Sequence, residues 1–452
     1  MREENKILCQ EIRELREKLE LVLSQLAKKE VKKDSHNSHN PPSQAKSTHE
    51  KKSLRKKTGR KSGGQKGHKG HYLAMTDNPD EKHIVKSDYC SKCGDTIDQE
   101  KQQLVSKRQI VEIPSIRPRY IEYQQYGCQC GRCGHLQKGS FPQGVKAPIQ
   151  YGSSVIALVS YFSVFHYLPF QRMTQLFKDI FHLPISEGSV QNLLKKAAQK
   201  ARPIYHAILQ QIFSSTYVGS DETSAKVNGD KWWVWVWQNM KNTYIKATES
   251  RGFISVQQII GDHLSHATIG SDRWAAQLKM KSKSKQLCIA HLLRDLIFLE
   301  ESENQVWASQ FKSLLEHALA LRKKTEQTQT FQTNQKDAYK LEKRLDRLLL
   351  RHIEKTEFTK THSFQKSMLK NRNYIFPFLY NSEVPPDNNS SERAIRNVKV
   401  KLKVSGQFKS GQNIFCVLRS CIDTLKKREL NVLAYLYCIA KLPTQKHCLV
   451  PE

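Results

Sequence analysis

Apolar positions in the first 31 residues recur in heptads. Asn5, Ile12, Leu19 and Leu26 share one seam position and Leu8, Leu15 and Val22 the other, which predicts a coiled coil over 1–31 with Asn5 fixing its register. A single amphipathic helix lying on the body of the protein is the alternative; Glu and Lys at the remaining positions favour self-association. From 32 to 72 large apolar side chains almost vanish among Ser, His, Asn, Pro, Gly and Lys, so this stretch cannot build a core and reads as a flexible linker. Val105 to Ile113 and Arg119 to Tyr126 then alternate like the two strands of a hairpin. Residues 146–212 carry helical spacing. Their uncharged run, Ile149 to Gln171, is long enough for a membrane span, but Ser153, Ser154, Tyr161, Ser160, Ser163, His166 and Tyr167 scattered through it predict a buried core helix instead. Two helices around a tight turn follow, over Leu168 to Ile180 and His182 to Val190. They fit a helix-turn-helix or an ordinary helical layer equally, because Ser189 to Leu194 offers no basic face.

At Tyr217 the period changes. Tyr217 to Val227, Trp232 to Trp237 and Thr243 to Thr248 read as antiparallel strands, the first two joined by Asn228-Gly229. A helix over Phe253 to Ile260, a short strand ending at Asp272, another helix, an apolar strand from Gln286 to Ala290 and a helix from His291 complete a β-β-β-α-β-α-β-α order, an α/β layered fold. Leu314, Leu315, Ala318, Leu341, Leu345, Leu348 and Ile353 recur at helical intervals, so 301–375 reads as a helical insertion ahead of the helix that Val384 to Arg396 opens, and 405–452 as a C-terminal helical segment.

With 452 residues, 38% of them hydrophobic, the chain can bury at least one sizeable core, which excludes disorder throughout. Lys and Arg number 74 against 43 Asp and Glu, a net charge of +31 that makes a polyanion, nucleic acid first, the expected partner. Nearly half of that surplus lies in two segments, 51–70 and 385–430. In the first, Arg60, Lys61, Lys66 and Lys69 are interleaved with glycines, which lets the backbone follow a phosphate chain closely. Charges at Arg2, Glu3 and Glu4 stand where a signal peptide would be apolar, so an intracellular protein is expected and the 11 cysteines read as thiols or metal ligands.

Cys90-Ser91-Lys92-Cys93-Gly94 and Cys130-Gly131-Arg132-Cys133-Gly134 are two turns of the kind that tetrahedral zinc needs. Each presents two thiolates, and four thiolates leave no open position, so the expected site is structural. Cys90, Cys93, Cys130 and Cys133 are the expected ligands, with Cys128 as a substitute for Cys130. Asp221 interrupts the first strand of the α/β unit and Asp272 ends the fourth; if those strands are neighbours, their carboxylates approach and a divalent cation is the natural occupant between them. Asp262 is a competing second acid. Glu392 follows Asn389 by three residues, the spacing of a capping box, yet it shares its helix with Arg393, Arg396 and Lys399, a strip suited to phosphates. His291 follows a strand; it could orient a substrate, but reads first as a satisfied core histidine.

These motifs resemble, in order, those of the insertion sequence 66 family transposases. The likeness is carried by Gly59-Arg60-Lys61 through His71, the paired cysteine turns, Asp221-Glu222-Thr223, Ser271-Asp272-Arg273, Cys288-x-Ala290-His291-Leu292-x-Arg294-Asp295 and Asp387-Asn388-Asn389-x-x-Glu392-Arg393-x-x-Arg396. The resemblance implies a coil, a zinc-binding module over 73–145, a helical DNA-binding region over 146–212 and a ribonuclease H-like core over 213–300 and 376–404. It also implies a DDE triad of Asp221, Asp272 and Glu392 holding Mg²⁺ or Mn²⁺. The implied activity is cleavage and joining of transposon DNA ends by a protein of the bacterial cytoplasm and nucleoid, self-associated through its coil, with accessory transposition proteins as further partners and no membrane. A metal-dependent nuclease without strand transfer and a zinc-containing DNA-binding regulator are the alternatives. The extra Cys128 and the Ala275-Ala276 pair, where the family commonly has an aromatic, depart from the pattern.

Overall fold

The computed structural model describes residues 63–65, 67–70, 72–328 and 335–443. The expected coil at 1–31 and Arg60, Lys61 and Lys66 lie outside these residues. Between 72 and 150 no side chain is fully buried, and the hairpin expected from Val105 to Tyr126 does not form. Alternation gives a strand one apolar face, but nothing covers that face here: Val105 is 95% exposed and Ile110 88%. A two-stranded hairpin without such cover is marginal in water. The ordered pair in this region is short: β1 (Gly127–Gln129) runs antiparallel to β2 (Leu136–Lys138), bracketing the second cysteine turn.

The uncharged run forms α1 (Ser153–Ser160) and a wider π-helical turn at Tyr161–Phe165, after which the chain turns into α2 (Phe170–Phe181). Among the described residues no helix is long and apolar enough to cross a membrane. Ser186 caps α3 (Glu187–Phe213) by accepting the Ser189 N–H at 3.1 Å.

Five strands form one mixed sheet: β3 (Tyr217–Val227), β4 (Asp230–Gln238), β5 (Thr243–Thr248), β6 (Thr268–Ser271) and β7 (Ser284–Leu287), in the order β5-β4-β3-β6-β7. The pairs β5–β4 and β4–β3 are antiparallel, and β3–β6 and β6–β7 parallel. Asn228 and Gly229 take positive φ of 49° and 91°, the handedness that a two-residue hairpin turn requires. Helices α4 (Phe253–Ile260) and α5 (Ala275–Lys279) make the crossovers into β6 and β7.

The strand expected through Ala290 stops at Leu287. Cys288 caps α6 (Ile289–Glu303), whose buried Ile289, Leu292, Leu296 and Leu299 continue the apolar run at helical spacing. A short apolar run does not distinguish strand from helix by itself. Then α7 (Val306–Thr328), α8 (Gln335–Leu349) and α9 (Thr359–Lys370) form a helical layer before α10 (Asn389–Ser405), α11 (Gln412–Lys427) and α12 (Val432–Lys441).

Two cores result. In one, α1 to α3 share buried side chains with β3 to β6 and α10 to α12: Ile212, Trp235, Trp237, Ile245, Leu418 and Ile422 belong to a single cluster. The other joins α6 to α9 through Leu296, Phe311, Leu315, Leu345 and Phe364, and reaches the sheet at Tyr217 and Leu287. The fully buried Leu314, Leu315, Ala318 and Leu345 are positions whose spacing predicted these helices.

Candidate active site

Strands β3 and β6 are neighbours, and their parallel register ends at Gly219↔Gly270. Asp221 and Asp272 each stand two residues past that last pair, so strand parity places them side by side at one end of the sheet. Gly270 serves this close pairing directly, since a Cβ there would overlap the Tyr217 side chain. The Asp221 Oδ1 accepts the Glu222 N–H at 2.8 Å. Burial first, and then the charges of Asp272 and Glu222, hold the Asp221 carboxyl well above the usual carboxylate range. Asp262 is elsewhere: it is exposed, and its carboxylate pairs with Lys281 at 2.9 Å.

Glu392 arrives on α10, and its place there differs from the capping-box expectation. The helix is capped at Asn388 without a side-chain bond, so Glu392 sits one position deeper than a box glutamate and its carboxylate does not cap the helix. Asn388 instead ties the helix start to the sheet: its Nδ2 donates to the Ser220 carbonyl at 2.7 Å and its N–H to the Cys288 Sγ at 3.2 Å. Gly219 permits the approach. A Cβ there would lie 2.6 Å from Gln238 Nε2, 2.8 Å from Ser391 Oγ and 2.9 Å from Asn388 Oδ1. Ile395 and Val398 are buried and Leu402 is half-buried, so the opposite face of α10 is the one that packs.

His291, one turn into α6, binds the acids together. Its Nδ1 lies 2.8 Å from Asp272 Oδ1 and its Nε2 3.6 Å from Glu392 Oε1. Burial disfavours the charged imidazole, but the contacts and charges of Asp272 and Cys288 outweigh it and push the His291 pKa up to about 11. It is buried, as a core histidine would be, yet its partners are two of the three singled-out acids. Arg294, one turn further along the same helix face, brings Nη1 to 3.9 Å from Glu392 Oε1. That carboxylate oxygen is buried without a hydrogen-bond partner. Sequence reading passed over Cys288, Arg294 and Asn388, although all three stand inside the quoted motifs.

Of the singled-out cations, Arg393 and Arg396 are exposed on α10 and Lys399 is half-buried, its Nζ 3.5 Å from the Ser224 carbonyl; Lys69 is exposed far along the chain. The two cysteine turns have the same local form: the Gly94 N–H donates to the Cys90 carbonyl at 2.9 Å and the Gly134 N–H to the Cys130 carbonyl at 2.8 Å. Backbone N–H groups of Lys92 and Cys93, and of Arg132 and Cys133, pull the Cys90 and Cys130 thiols below their usual range. The four sulfurs are not gathered at one point. Among the described residues, the one group of three or more potential ligands within 4.8 Å is Asp272, Cys288 and His291.

The model of the family described as Transposase IS66 family matches residues 148–413. The chain belongs to the IS66 transposase family. All three acids, His291 and the whole sheet lie inside the matched stretch of this transposase, and the cysteine turns lie outside it. Residues 1–74 match a second family model, described as a family of unknown function. Among curated proteins none matches this transposase.

Proposed function

We propose that this transposase cleaves and joins transposon DNA ends at a DDE centre made by Asp221, Asp272 and Glu392. The observation that carries the reading is that His291 holds two carboxylates, Asp272 just past β6 and Glu392 on α10, while Asp221 of β3 stands beside Asp272, in a sheet of order β5-β4-β3-β6-β7. Three antiparallel strands followed by two parallel ones, with acids on the first and fourth in chain order, support a ribonuclease H-like core.

The donor set fits Mg²⁺ or Mn²⁺: hard carboxylate oxygens, one of them in Glu392 buried without a hydrogen bond, and an Asp221 whose ionisation burial opposes. When bound, such ions supply charge neutralisation at a phosphodiester and activate a water or a 3′-hydroxyl. Asp221, Asp272 and Glu392 would hold them. His291 fixes the Asp272 carboxylate, Arg294 steadies Glu392, and Arg393, Arg396 and Lys399 would hold the DNA backbone beside the acids. Asp272 also belongs to a second donor set with Cys288 and His291, whose sulfur and imidazole favour a softer ion. Cys288 already accepts the Asn388 N–H and His291 already holds Asp272, which favours the carboxylate set.

Away from this centre, Cys90, Cys93, Cys130 and Cys133 would hold a structural Zn²⁺ only if the two turns, whose sulfurs stand apart here, are brought together. Cys130 rather than Cys128 is the ligand proposed because it occupies the place in its turn that Cys90 occupies in the other. Double-stranded DNA is the partner, contacted also by Arg60, Lys61, Lys66 and Lys69, and the N-terminal coil would associate copies of the chain.

Incubating the protein with Mg²⁺ and a labelled duplex carrying the element's terminal sequence tests the reading. Cleaved and joined products are expected from the wild type, with both steps reduced by roughly a thousandfold in Glu392→Gln while DNA affinity holds. Joining by Glu392→Gln at the wild-type rate refutes the triad. Cleavage without joining identifies a nuclease, and binding with neither identifies a regulator.

A further inference from the structure

Beside the acids lies an aromatic stack that the proposed chemistry does not use. The Arg251 guanidinium lies 3.4 Å from the Trp274 ring centroid and 4.6 Å from that of Trp233, filling the space between two indoles. Its charge is met by the buried Glu222 carboxylate, which takes the Arg251 Nε–H at 3.0 Å and the Gln277 amide at 2.8 Å. Glu222 is the neighbour of Asp221 in β3, and Trp274 stands two residues beyond Asp272. The stack therefore borders the same end of the sheet as the triad.

Two properties determine what the stack would bind. Trp274 is held in place by the guanidinium against it, yet 37% of its surface remains open to solvent. Unlike the exposed Arg393 and Arg396 of α10, Arg251 has its charge matched by a buried carboxylate. A phosphate would gain little from such a neutral stack, whereas an unsaturated planar ring would gain dispersion and lose little hydration.

We propose that Trp274, braced by Arg251 and Trp233, is a stacking site for one unpaired or terminal nucleobase of the DNA strand whose phosphate the triad holds. This rests on the reading of Asp221, Asp272 and Glu392 as a DNA-processing centre. It adds a source of discrimination: duplex that stays fully stacked through the junction leaves Trp274 uncovered, whereas an end that releases a base covers it.

The test uses the full-length protein and duplexes carrying the element's terminal sequence, intact or with a single abasic site at each position flanking the junction. Binding is measured without divalent metal, and cleavage separately with Mg²⁺. Trp274→Ala and Trp274→Leu are expected to weaken binding of the intact end on the order of 10- to 100-fold, and Trp274→Phe by less than about threefold. At one abasic position the wild type should bind as weakly as the variants, with Trp274→Ala adding less than about twofold. Additive losses at every position, equal behaviour of Phe and Leu, or wild-type binding by Trp274→Ala would each overturn the stacking site. The two readings fail separately. Loss of Mg²⁺-dependent cleavage in the wild type with the coupling intact removes the catalytic reading alone, whereas cleavage without coupling removes the stacking site alone.

Discussion

Replacing Gly219 with alanine tests the link between the sheet and the glutamate helix. Gly219 has ordinary strand geometry, so the added methyl would by itself favour folding by about 0.4–1 kcal/mol through the unfolded chain. Against this stand three contacts at 2.6, 2.8 and 2.9 Å, to Gln238, Ser391 and Asn388. All three residues are buried, Ser391 completely, and Asn388 already spends its amide on the Ser220 carbonyl, so none can swing into solvent. Overpacking of this kind costs about 1–3 kcal/mol, and the cheapest relief is outward movement of the first turn of α10, which carries Glu392. After the gain of about 0.4–1 kcal/mol is deducted, Gly219→Ala should lower the melting temperature of a chain this size by up to about 3 °C. Mg²⁺-dependent end cleavage should fall far more, by roughly a hundredfold, because a shift near 1 Å at a reacting group has that effect. Gly152→Ala, where nothing lies within 4 Å of the added carbon, is the control and should leave cleavage unchanged. A Gly219→Ala protein with wild-type melting and wild-type cleavage would show that α10 is not seated against β3 in the way described.

Asp221→Asn should stabilise the metal-free protein at neutral pH. The raised Asp221 pKa contributes stability that is present below the ordinary carboxylate range and lost as pH rises through the folded value. The gain in melting temperature over wild type should therefore vanish in acid, and Mg²⁺ should raise the melting temperature of the wild type more than that of the variant. His291→Ala removes the cation shared by Asp272 and Glu392 and should lower cleavage about 10- to 100-fold with DNA affinity retained; unchanged turnover would make His291 a packing residue only. Metal analysis of protein purified without chelator should find about one Zn²⁺ per chain, lost in Cys130→Ser and kept in Cys128→Ser; the reverse outcome exchanges the two ligands.

The sequence placed Asp221 on a strand and Asp272 at the end of another, but their pairing only as a condition; that β3 and β6 are neighbours, with register ending at Gly219↔Gly270, is a property of the folded sheet. Glu392 was less legible: spacing pointed as readily to a helix cap, and only the family likeness nominated it. Its position depends on Asn388, Ser220 and Cys288, which are separated by up to 168 residues and meet only in the folded chain. His291 was undervalued for the same reason, since a histidine inside an apolar helix start gives no sign of which carboxylates will reach it. The hairpin expected at 105–126 failed in the opposite sense. There the pattern was clear, but no second layer packs on its apolar face.

The three acids are delivered to one point by a chain that makes a long excursion between the second and the third. While the polypeptide is being synthesised, the strands bearing Asp221 and Asp272 can emerge and pair before α10 has been made, and the helices of the second core occupy the interval. A nascent chain at that stage carries the basic segment at 51–70 but neither the one at 385–430 nor Glu392. On the proposed triad, competence to cut would be postponed until the polypeptide has been extended past Glu392.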